Sequence, residues 1–172
     1  MPLKQQGALQ DIQRAMRLIR SNAAKWNLDN TKIGVMGFSA GGNLSARAAT
    51  SYDPVTYRPI DAADSLSCRP DFAILIYPGS FSRGLEYKLF PELIVDKNTP
   101  PMFLFVANDA AVGLPLSFVY ALHEAKIAME LHVYPKGGDG YGLRKVNPAA
   151  EAWPMLAEKW MKQFLNNNII NY

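Results

Sequence analysis

The sequence predicts an α/β fold, in which a parallel β-sheet forms the middle of three layers and helices flank it. Short apolar runs, typical of strands buried on both faces, alternate along the 172 residues with segments of helical periodicity. The predicted strands are residues 32–38, 72–77, 102–107 and 129–134. The predicted helices are residues 8–25, 41–50 and 115–126, and a last helix that begins between Pro148 and Pro154. Because a helix between two strands lets them run parallel, this alternation favours a parallel sheet.

The first third of the chain contains a helix, a strand and a second helix. Apolar residues recur at steps of three and four and predict an amphipathic helix, and they are Leu9, Ile12, Met16, Ile19 and Ala23. After a polar break, residues 32–38 form a short, mostly apolar run that predicts a buried strand. The second helix follows almost directly. Residues 51–70 contain three prolines and predict an irregular loop.

The later strands differ in how deeply we expect the sheet to bury them. Residues 72–77 and 102–107 are continuous apolar runs, which predict central strands. In residues 129–134 apolar and polar side chains alternate, which predicts a strand at the edge of the sheet with one wet face. Residues 79–100 predict irregular structure that caps a pocket. In the last helix, Trp153 and Trp160 are predicted core residues.

Composition and charge exclude several classes of function. The chain is 49% hydrophobic and 19% charged, which is typical of one globular domain over residues 1–172. The net charge of +3 is spread without a basic run, which argues against nucleic-acid binding. No stretch is apolar enough to cross a membrane and the start lacks a signal core, so we predict a cytoplasmic protein; the alternative is a truncated secreted protein. One cysteine and two histidines cannot form a zinc cluster, and we predict no metal and no cofactor.

The candidate nucleophile is Ser39, in a Gly-Phe-Ser-Ala-Gly segment that fits the pattern G-x-S-x-G. The segment follows a predicted strand and precedes a predicted helix, which is the context of a nucleophile elbow. We expect a Cβ at Gly37 or Gly41 to collide in so tight a turn. The backbone N–H of Ala40, at the positive end of the helix, would be one oxyanion-hole donor. The alternative is a glycine-rich turn with a bystander serine.

The candidate acid is Asp109, which directly follows the predicted strand at residues 102–107. Because the carboxyl ends of parallel strands meet at one edge of a sheet, Asp109 and Ser39 should share that edge. A serine followed by a carboxylate is also the chain order in hydrolases with this elbow. The alternative is an aspartate that caps a helix or forms a turn.

The position expected for a catalytic base holds an aspartate. The loop after the last strand is rich in glycine, and Asp139 stands among these glycines. An ordinary carboxylate, with a pKa of about 3.9, is a poor base for a serine proton near neutral pH. His132 lies inside the last predicted strand and His123 lies within a helix, so we expect both to be surface or packing residues.

These motifs resemble those of α/β-hydrolase serine esterases, in particular the bacterial acetyl-xylan esterases and "xylanase"-like lipases. Members read GFSAGGHLA at the elbow, where this sequence reads GFSAGGNLS. Their P-P-x-F-L strand and D-x-x-V step match Pro100–Leu104 and Asp109–Val112. Their E-L-H-x-Y-x-K-G-G-H-G-x-G-L segment matches Glu130–Leu143 except at Asp139, where the family has its catalytic histidine. The similarity extends from about Leu9 to Trp160.

The resemblance implies a nucleophile at Ser39, an orienting acid at Asp109, and cleavage of a carboxylic ester, such as an acetylated carbohydrate, without a cofactor. It also implies that the four strands form the C-terminal half of the α/β-hydrolase sheet. The family's His-Gly-Gly oxyanion loop has no counterpart, because the first histidine of the sequence is His123. With Asp139 at the base position, we expect weakened or absent hydrolysis.

Two other interpretations of the chain remain open. It could be a non-catalytic module that keeps the pocket for binding or assembly. It could also be a gene fragment or an engineered inactive variant. Because the earlier strands of the family's sheet are missing, residues 32–38 would form an exposed apolar edge, which predicts a homo-oligomer, a partner chain that supplies the missing strands, or poor solubility.

Overall fold

The computed structural model describes residues 3–52, 56–83, 88–111 and 113–165; Val112, the last residue of one matched motif, lies outside them. The helices are α1 (Leu3–Asn22), α2 (Ala40–Thr50), α3 (Leu116–Glu124) and α4 (Pro148–Leu165). The strands are β1 (Val35–Phe38), β2 (Ala73–Ile76), β3 (Ser82–Arg83), β4 (Lys88–Leu89), β5 (Met102–Ala107) and β6 (Met129–Tyr134).

The main sheet contains four parallel strands in the order β1-β2-β5-β6. Leu75 at the centre of β2 lies beside Gly37 on one side and Leu104 on the other. The strands are neighbours in chain order, which gathers the residues after each strand at one edge of the sheet. This arrangement confirms the predicted α/β class with a parallel sheet flanked by helices.

Helices cover both faces of the sheet and separate two apolar clusters. On one face α1, α2 and α3 bury Met16, Ala46, Ala49, Phe118 and Leu122 against β2 and β5. On the other face α4 packs Trp153 and Trp160 against Ile76, Phe103 and Phe105. Both tryptophans are buried, which confirms them as core residues.

Some element boundaries differ from the predicted ones. The first helix ends at Asn22, because Asn27 adopts a φ of 54° and Leu28 N–H donates to Ala23 O at 2.9 Å, closing a terminal turn. Within the predicted loop at residues 51–70, Ala62–Ser65 form a 3₁₀ turn capped by Asp61. Within residues 79–100, β3 and β4 form a short antiparallel pair that sequence periodicity could not predict, since each strand has only two residues.

The edge position of β6 is confirmed, but its predicted wet face is wrong. The ring of His132 lies 5.4 Å from that of Phe103, and Tyr134 stacks on Phe105 at 5.7 Å between ring centroids. Both side chains are half-buried. The alternation failed as a guide because the large rings of the neighbouring strand extend over this face.

The opposite edge of the main sheet is β1, as predicted. Val35 and Gly37 are buried against the helices, whereas Met36 on the other face is 54% exposed. Among the described residues, β1 pairs with β2 only. Its outer backbone groups therefore border a partly apolar surface.

Candidate active site

Ser39 stands on a strained turn between β1 and α2. Its φ of 52° and ψ of −120° lie in a region that non-glycine residues rarely adopt. Its N–H donates to Ile76 O at 3.1 Å, and its C=O accepts from Asn43 N at 3.1 Å and Gly79 N at 2.9 Å. These three bonds hold the strained backbone, and the residue is exposed at the carboxyl edge of the sheet.

The glycines of the elbow have unequal roles. A Cβ on Gly37 would lie 2.1 Å from Gly41 O, which no side chain could avoid. A Cβ on Gly41 would meet no atom within 4 Å, so the expected collision there is wrong. Gly41 faces outward, whereas Gly42 faces the sheet, and a Cβ on Gly42 would lie 3.0 Å from Pro78 Cα. The close approach of strand and helix therefore depends on Gly37 and Gly42.

Ala40 is the first residue of α2 and follows the serine directly. The first N–H groups of a helix have no acceptor within it, and they form its positive end. Ala40 is exposed beside Ser39. Its N–H therefore belongs to the positive end of α2, directly beside the serine.

Asp109 follows β5 at the same edge of the sheet. Its Oδ1 accepts hydrogen bonds from Gly138 N at 2.8 Å and Gly137 N at 2.9 Å. The hydrogen bond from Gly138, with that from Gly137, holds the pKa of the Asp109 carboxyl below its usual range. Asp109 is therefore ionised at neutral pH and anchors the loop that follows β6.

Asp139 lies in that loop and forms the reciprocal contact. Its Oδ2 accepts from Ala111 N at 2.8 Å, in the loop after β5. We call the two carboxylates and their backbone donors (Gly137, Gly138 and Ala111) the carboxylate strap. Both carboxylates are exposed. Sequence analysis missed this strap, although the tendency of aspartate to accept backbone N–H groups in turns could have suggested it.

Two buried tyrosines support the loop after β6. Tyr77 follows β2 with a φ of 34°, and its Oη accepts from Gly142 N at 3.2 Å. The Tyr141 ring lies 4.3 Å from the Tyr77 ring, and Tyr141 is 1% exposed, so it packs in the core. Its hydroxyl has no hydrogen-bond partner among the described residues, and burial raises its pKa above the usual range. Sequence analysis did not single out Tyr77.

The two histidines lie away from the carboxyl edge. His132 is opposite Phe105 within β6, and its Nε2 lies 2.6 Å from Glu130 Oε1. His123 is exposed in the last turn of α3. The structure thus places both as packing or surface residues and brings neither to Ser39.

A groove opens beside the elbow, with a cavity volume of about 860 Å³. We call it the elbow groove and define it by its described lining, which is residues 78–82, 88–89, 113–117, 120 and 121. It is bounded by the segment after β2, by β4 and by the start of α3. The prediction that residues 79–100 cap a pocket therefore identified part of one wall.

The remaining candidate features are the single cysteine, a metal site and a membrane-spanning helix. Cys68 is buried, and its Sγ donates to Tyr52 O at 3.1 Å. Among the described residues, no three His, Cys, Asp or Glu side chains gather as metal ligands would. Across the same parts of the chain, no helix is both long and apolar enough to cross a membrane.

The parallel sheet and the serine on a strained strand-to-helix turn define the class of protein. Both belong to the α/β-hydrolase fold, in which the nucleophile stands at the carboxyl edge of the sheet.

Known proteins place the chain within that class. Residues 4–64 match the BD-FAE family. The chain is 36% identical to endo-1,4-beta-xylanase B of Butyrivibrio fibrisolvens, over 81% of this chain and 25% of that protein. It is 28% identical to an acetylxylan esterase of Xylanibacter ruminicola, over 77% of this chain and 30% of that protein.

A solved structure agrees with these relatives. The acetyl ester-xyloside bifunctional hydrolase of Caldicellulosiruptor lactoaceticus is 34% identical, with a TM-score of 0.78 over 91% of this chain and 65% of that one. The chain therefore belongs to the α/β-hydrolase esterase family. It spans a quarter to a third of the curated relatives and about two thirds of this structure.

Proposed function

We propose that this chain is a single-domain carboxylic ester hydrolase unit in which Ser39 is the nucleophile and the substrate is an acetylated carbohydrate. The observation that carries the proposal is the strained turn of Ser39, held by three backbone hydrogen bonds at the head of α2. Backbone strain of this kind persists where a function requires the side chain to be presented. The names of the relatives, which include an acetylxylan esterase, support the substrate class.

The reaction would proceed by acyl transfer in two steps. Ser39 Oγ attacks the ester carbonyl carbon, and Ala40 N–H donates to the oxyanion that develops. The C–O bond to the sugar breaks, the proton of Ser39 passes through water to the departing alkoxide, and an acyl-serine forms. Water then attacks the acyl-serine, its oxygen leaves in the acetate, and one of its protons returns to Ser39 Oγ. No cofactor is needed.

The proton transfers are the weak part of this mechanism. In the family the base is a histidine, whereas here Asp139 occupies that position and its Oδ2 accepts from Ala111 N. A carboxylate accepts the serine proton poorly and leaves no cation to stabilise the oxyanion. We therefore propose slow hydrolysis, carried by the elbow and by substrate binding.

The test is the intact mass of the protein after treatment with a fluorophosphonate, which reacts with an activated serine whatever the natural substrate. We expect one added phosphonyl group in the wild type and none in Ser39→Ala. Ser21→Ala, an exposed serine on α1, is the matched control and should label as the wild type does. An unlabelled wild type, with its far-ultraviolet circular dichroism intact, would refute an activated Ser39.

A second candidate function is a non-catalytic binding module. The carboxylate strap favours it, because Asp139 there ties the loops after β5 and β6 together through Ala111 N–H. This alternative predicts an unlabelled Ser39 together with saturable binding of a carbohydrate ester. The same labelling experiment therefore separates the two functions.

We also propose that two copies of this chain associate through the outer edge of β1. Among the described residues no strand pairs with the outer edge of β1 beside Met36, and a second β1 could pair there in an antiparallel ladder. Met36→Lys should shift the mass in light scattering from dimer to monomer. Met155→Lys, at a residue of α4 that is 68% exposed, should leave the dimer intact. A wild-type protein that is monomeric at a concentration of about 100 μM would contradict this association.

A further inference from the structure

The elbow groove begins beside the nucleophile. Pro78 and Gly79 line it, and Gly79 N donates to Ser39 O at 2.9 Å. This hydrogen bond joins the groove wall directly to the elbow. Any ester attacked by Ser39 would therefore have one of its two parts next to this groove.

One wall of the groove is an unusual face of α3. Leu116, Ser117 and Tyr120 line the cavity, while Phe118 and Leu122 on the opposite face are fully buried in the core. The Tyr120 side chain is 65% exposed. An exposed aromatic ring one turn away from a hydroxyl offers both a stacking surface and a hydrogen-bonding group.

The other wall is held in place by polar contacts with α2. Asn43 Nδ2 donates to Ser80 O at 2.8 Å, and Arg47 Nε donates to Asn43 Oδ1 at 2.8 Å. Arg47, which is buried, also pairs with Glu92 Oε1 at 2.9 Å. The wall is therefore largely formed before a ligand arrives, which lowers the entropic cost of binding.

The size and lining of the groove restrict its occupant. A volume of about 860 Å³ is several times what a two-carbon acyl group fills and lies within the range of small-ligand pockets, about 300–1,000 Å³. A pyranose ring has apolar C–H faces and a rim of hydroxyls. The Tyr120 ring and Leu116 match the faces, while Ser80 and Ser117 match the rim.

We infer that the elbow groove holds the sugar part of the ester, with one pyranose ring stacked on Tyr120 and its hydroxyls bonded to Ser117. This inference rests on the proposed function, since it assigns the two parts of the same substrate. The acetyl group would then lie at Ser39 itself. Tyr120 touches only the sugar and so sets specificity.

The test is a titration with xylotriose, in which binding is monitored by NMR through the amide chemical shifts of Gly79 and Ser117. We expect saturable shifts in the wild type and a dissociation constant about tenfold higher in Tyr120→Ala, because the stacking surface is lost. Tyr120→Phe keeps the ring and should bind within about twofold of the wild type. Trp26→Ala removes a half-exposed ring outside the groove and should bind as the wild type does.

Equal binding by Tyr120→Ala and the wild type would overturn this assignment. So would shifts of the same amides by 4-hydroxycinnamate but not by xylotriose, which would make the groove an acyl site. Fluorophosphonate labelling without xylotriose binding would refute the sugar site alone. Xylotriose binding without labelling would support the sugar site and refute only hydrolysis.

Discussion

The two halves of the candidate active site differ in what maintains them. On the elbow side, Ser39 is presented by the backbone, through a positive φ and three main-chain hydrogen bonds. On the base side, Asp109 and Asp139 are side chains that bind each other's loop. The first half has the strand-turn-helix geometry of a nucleophile elbow. The second has an aspartate, Asp139, at the position where the resemblance places a histidine.

The difference shows that the backbone geometry of the elbow and the side chain at the base position can vary independently. The elbow forms because β1 and α2 approach closely at Gly37, where a Cβ would overlap Gly41 O. Its geometry therefore depends on the backbone, and few side-chain substitutions would alter it. The base depends on one side chain, and Asp139 fits its loop through a hydrogen bond to Ala111. A single residue can therefore alter the proton transfers while the loops and the sheet stay as they are.

The largest expected effect is on the elbow side. In Gly37→Ala the new Cβ would overlap the carbonyl of Gly41, so we expect the free energy of unfolding to fall by about 3 kcal/mol. Urea denaturation measures this change. Gly41→Ala is the matched control and should change it by less than about 1 kcal/mol, since its Cβ meets nothing within 4 Å. Equal losses in both variants would mean that the turn itself, and not the close approach, excludes a side chain.

On the base side, Asp139→His should raise the rate of ester hydrolysis by about 10²-fold, because an imidazole can take and return the serine proton near neutral pH. Initial rates with 4-nitrophenyl acetate measure it. Asp139→Asn keeps an acceptor for Ala111 N–H without a base and should match the wild type. A histidine variant no faster than the asparagine variant would show that oxyanion stabilisation, rather than the base, limits the rate.

Acid should release the Asp109 half of the carboxylate strap. The pKa of Asp109 is lowered in the folded state, so its stabilising effect is complete above the ordinary pKa of about 3.9 and is lost as the pH falls through the lowered value. We expect the exchange protection of the Gly137 and Gly138 amides to be constant from pH 7 to about pH 5. It should decrease once the pH is below about 4.

Neutral variants isolate each half of the strap. Asp109→Asn should lower the protection of the Gly137 and Gly138 amides about tenfold at neutral pH, because a neutral oxygen is a weaker acceptor. Asp139→Asn should leave those two amides unchanged and affect Ala111 only. Hydrogen exchange read by NMR gives both results. Loss of protection at all three amides in either variant would show that the three hydrogen bonds of the strap form as one unit.

The smallest expected effect is on the free energy of unfolding, at the two tyrosines that support the loop after β6. Tyr141→Phe should raise the free energy of unfolding by about 1 kcal/mol, because it removes a buried hydroxyl that has no partner among the described residues. Tyr77→Phe removes the acceptor of Gly142 N–H and should lower it by about 1 kcal/mol. Thermal unfolding followed by circular dichroism compares the pair. A destabilised Tyr141→Phe would reveal a bound water at that hydroxyl.

The sequence was most informative where one local pattern determines one local structure. Three of the four main strands were predicted from apolar runs and the fourth, β6, from the alternation of apolar and polar side chains. The order of strands and helices followed from the order of these patterns along the chain. Ser39 and Asp109 were placed at the carboxyl edge by their positions after strands, and both stand there. The wet face of β6 was predicted wrongly, since alternation describes the strand itself and not the rings of Phe103 and Phe105 beside it.

By itself, then, the sequence determined the parallel α/β class, the strained elbow at Ser39, and the replacement of the expected histidine by Asp139. Each depends on residue type within a few neighbouring positions. The tertiary structure alone decided that Asp139 binds Ala111, that Tyr77 supports Gly142, and that α3 turns Tyr120 toward a groove beside the serine. These contacts join segments far apart in the chain, so only the packing of helices on the sheet could bring them together.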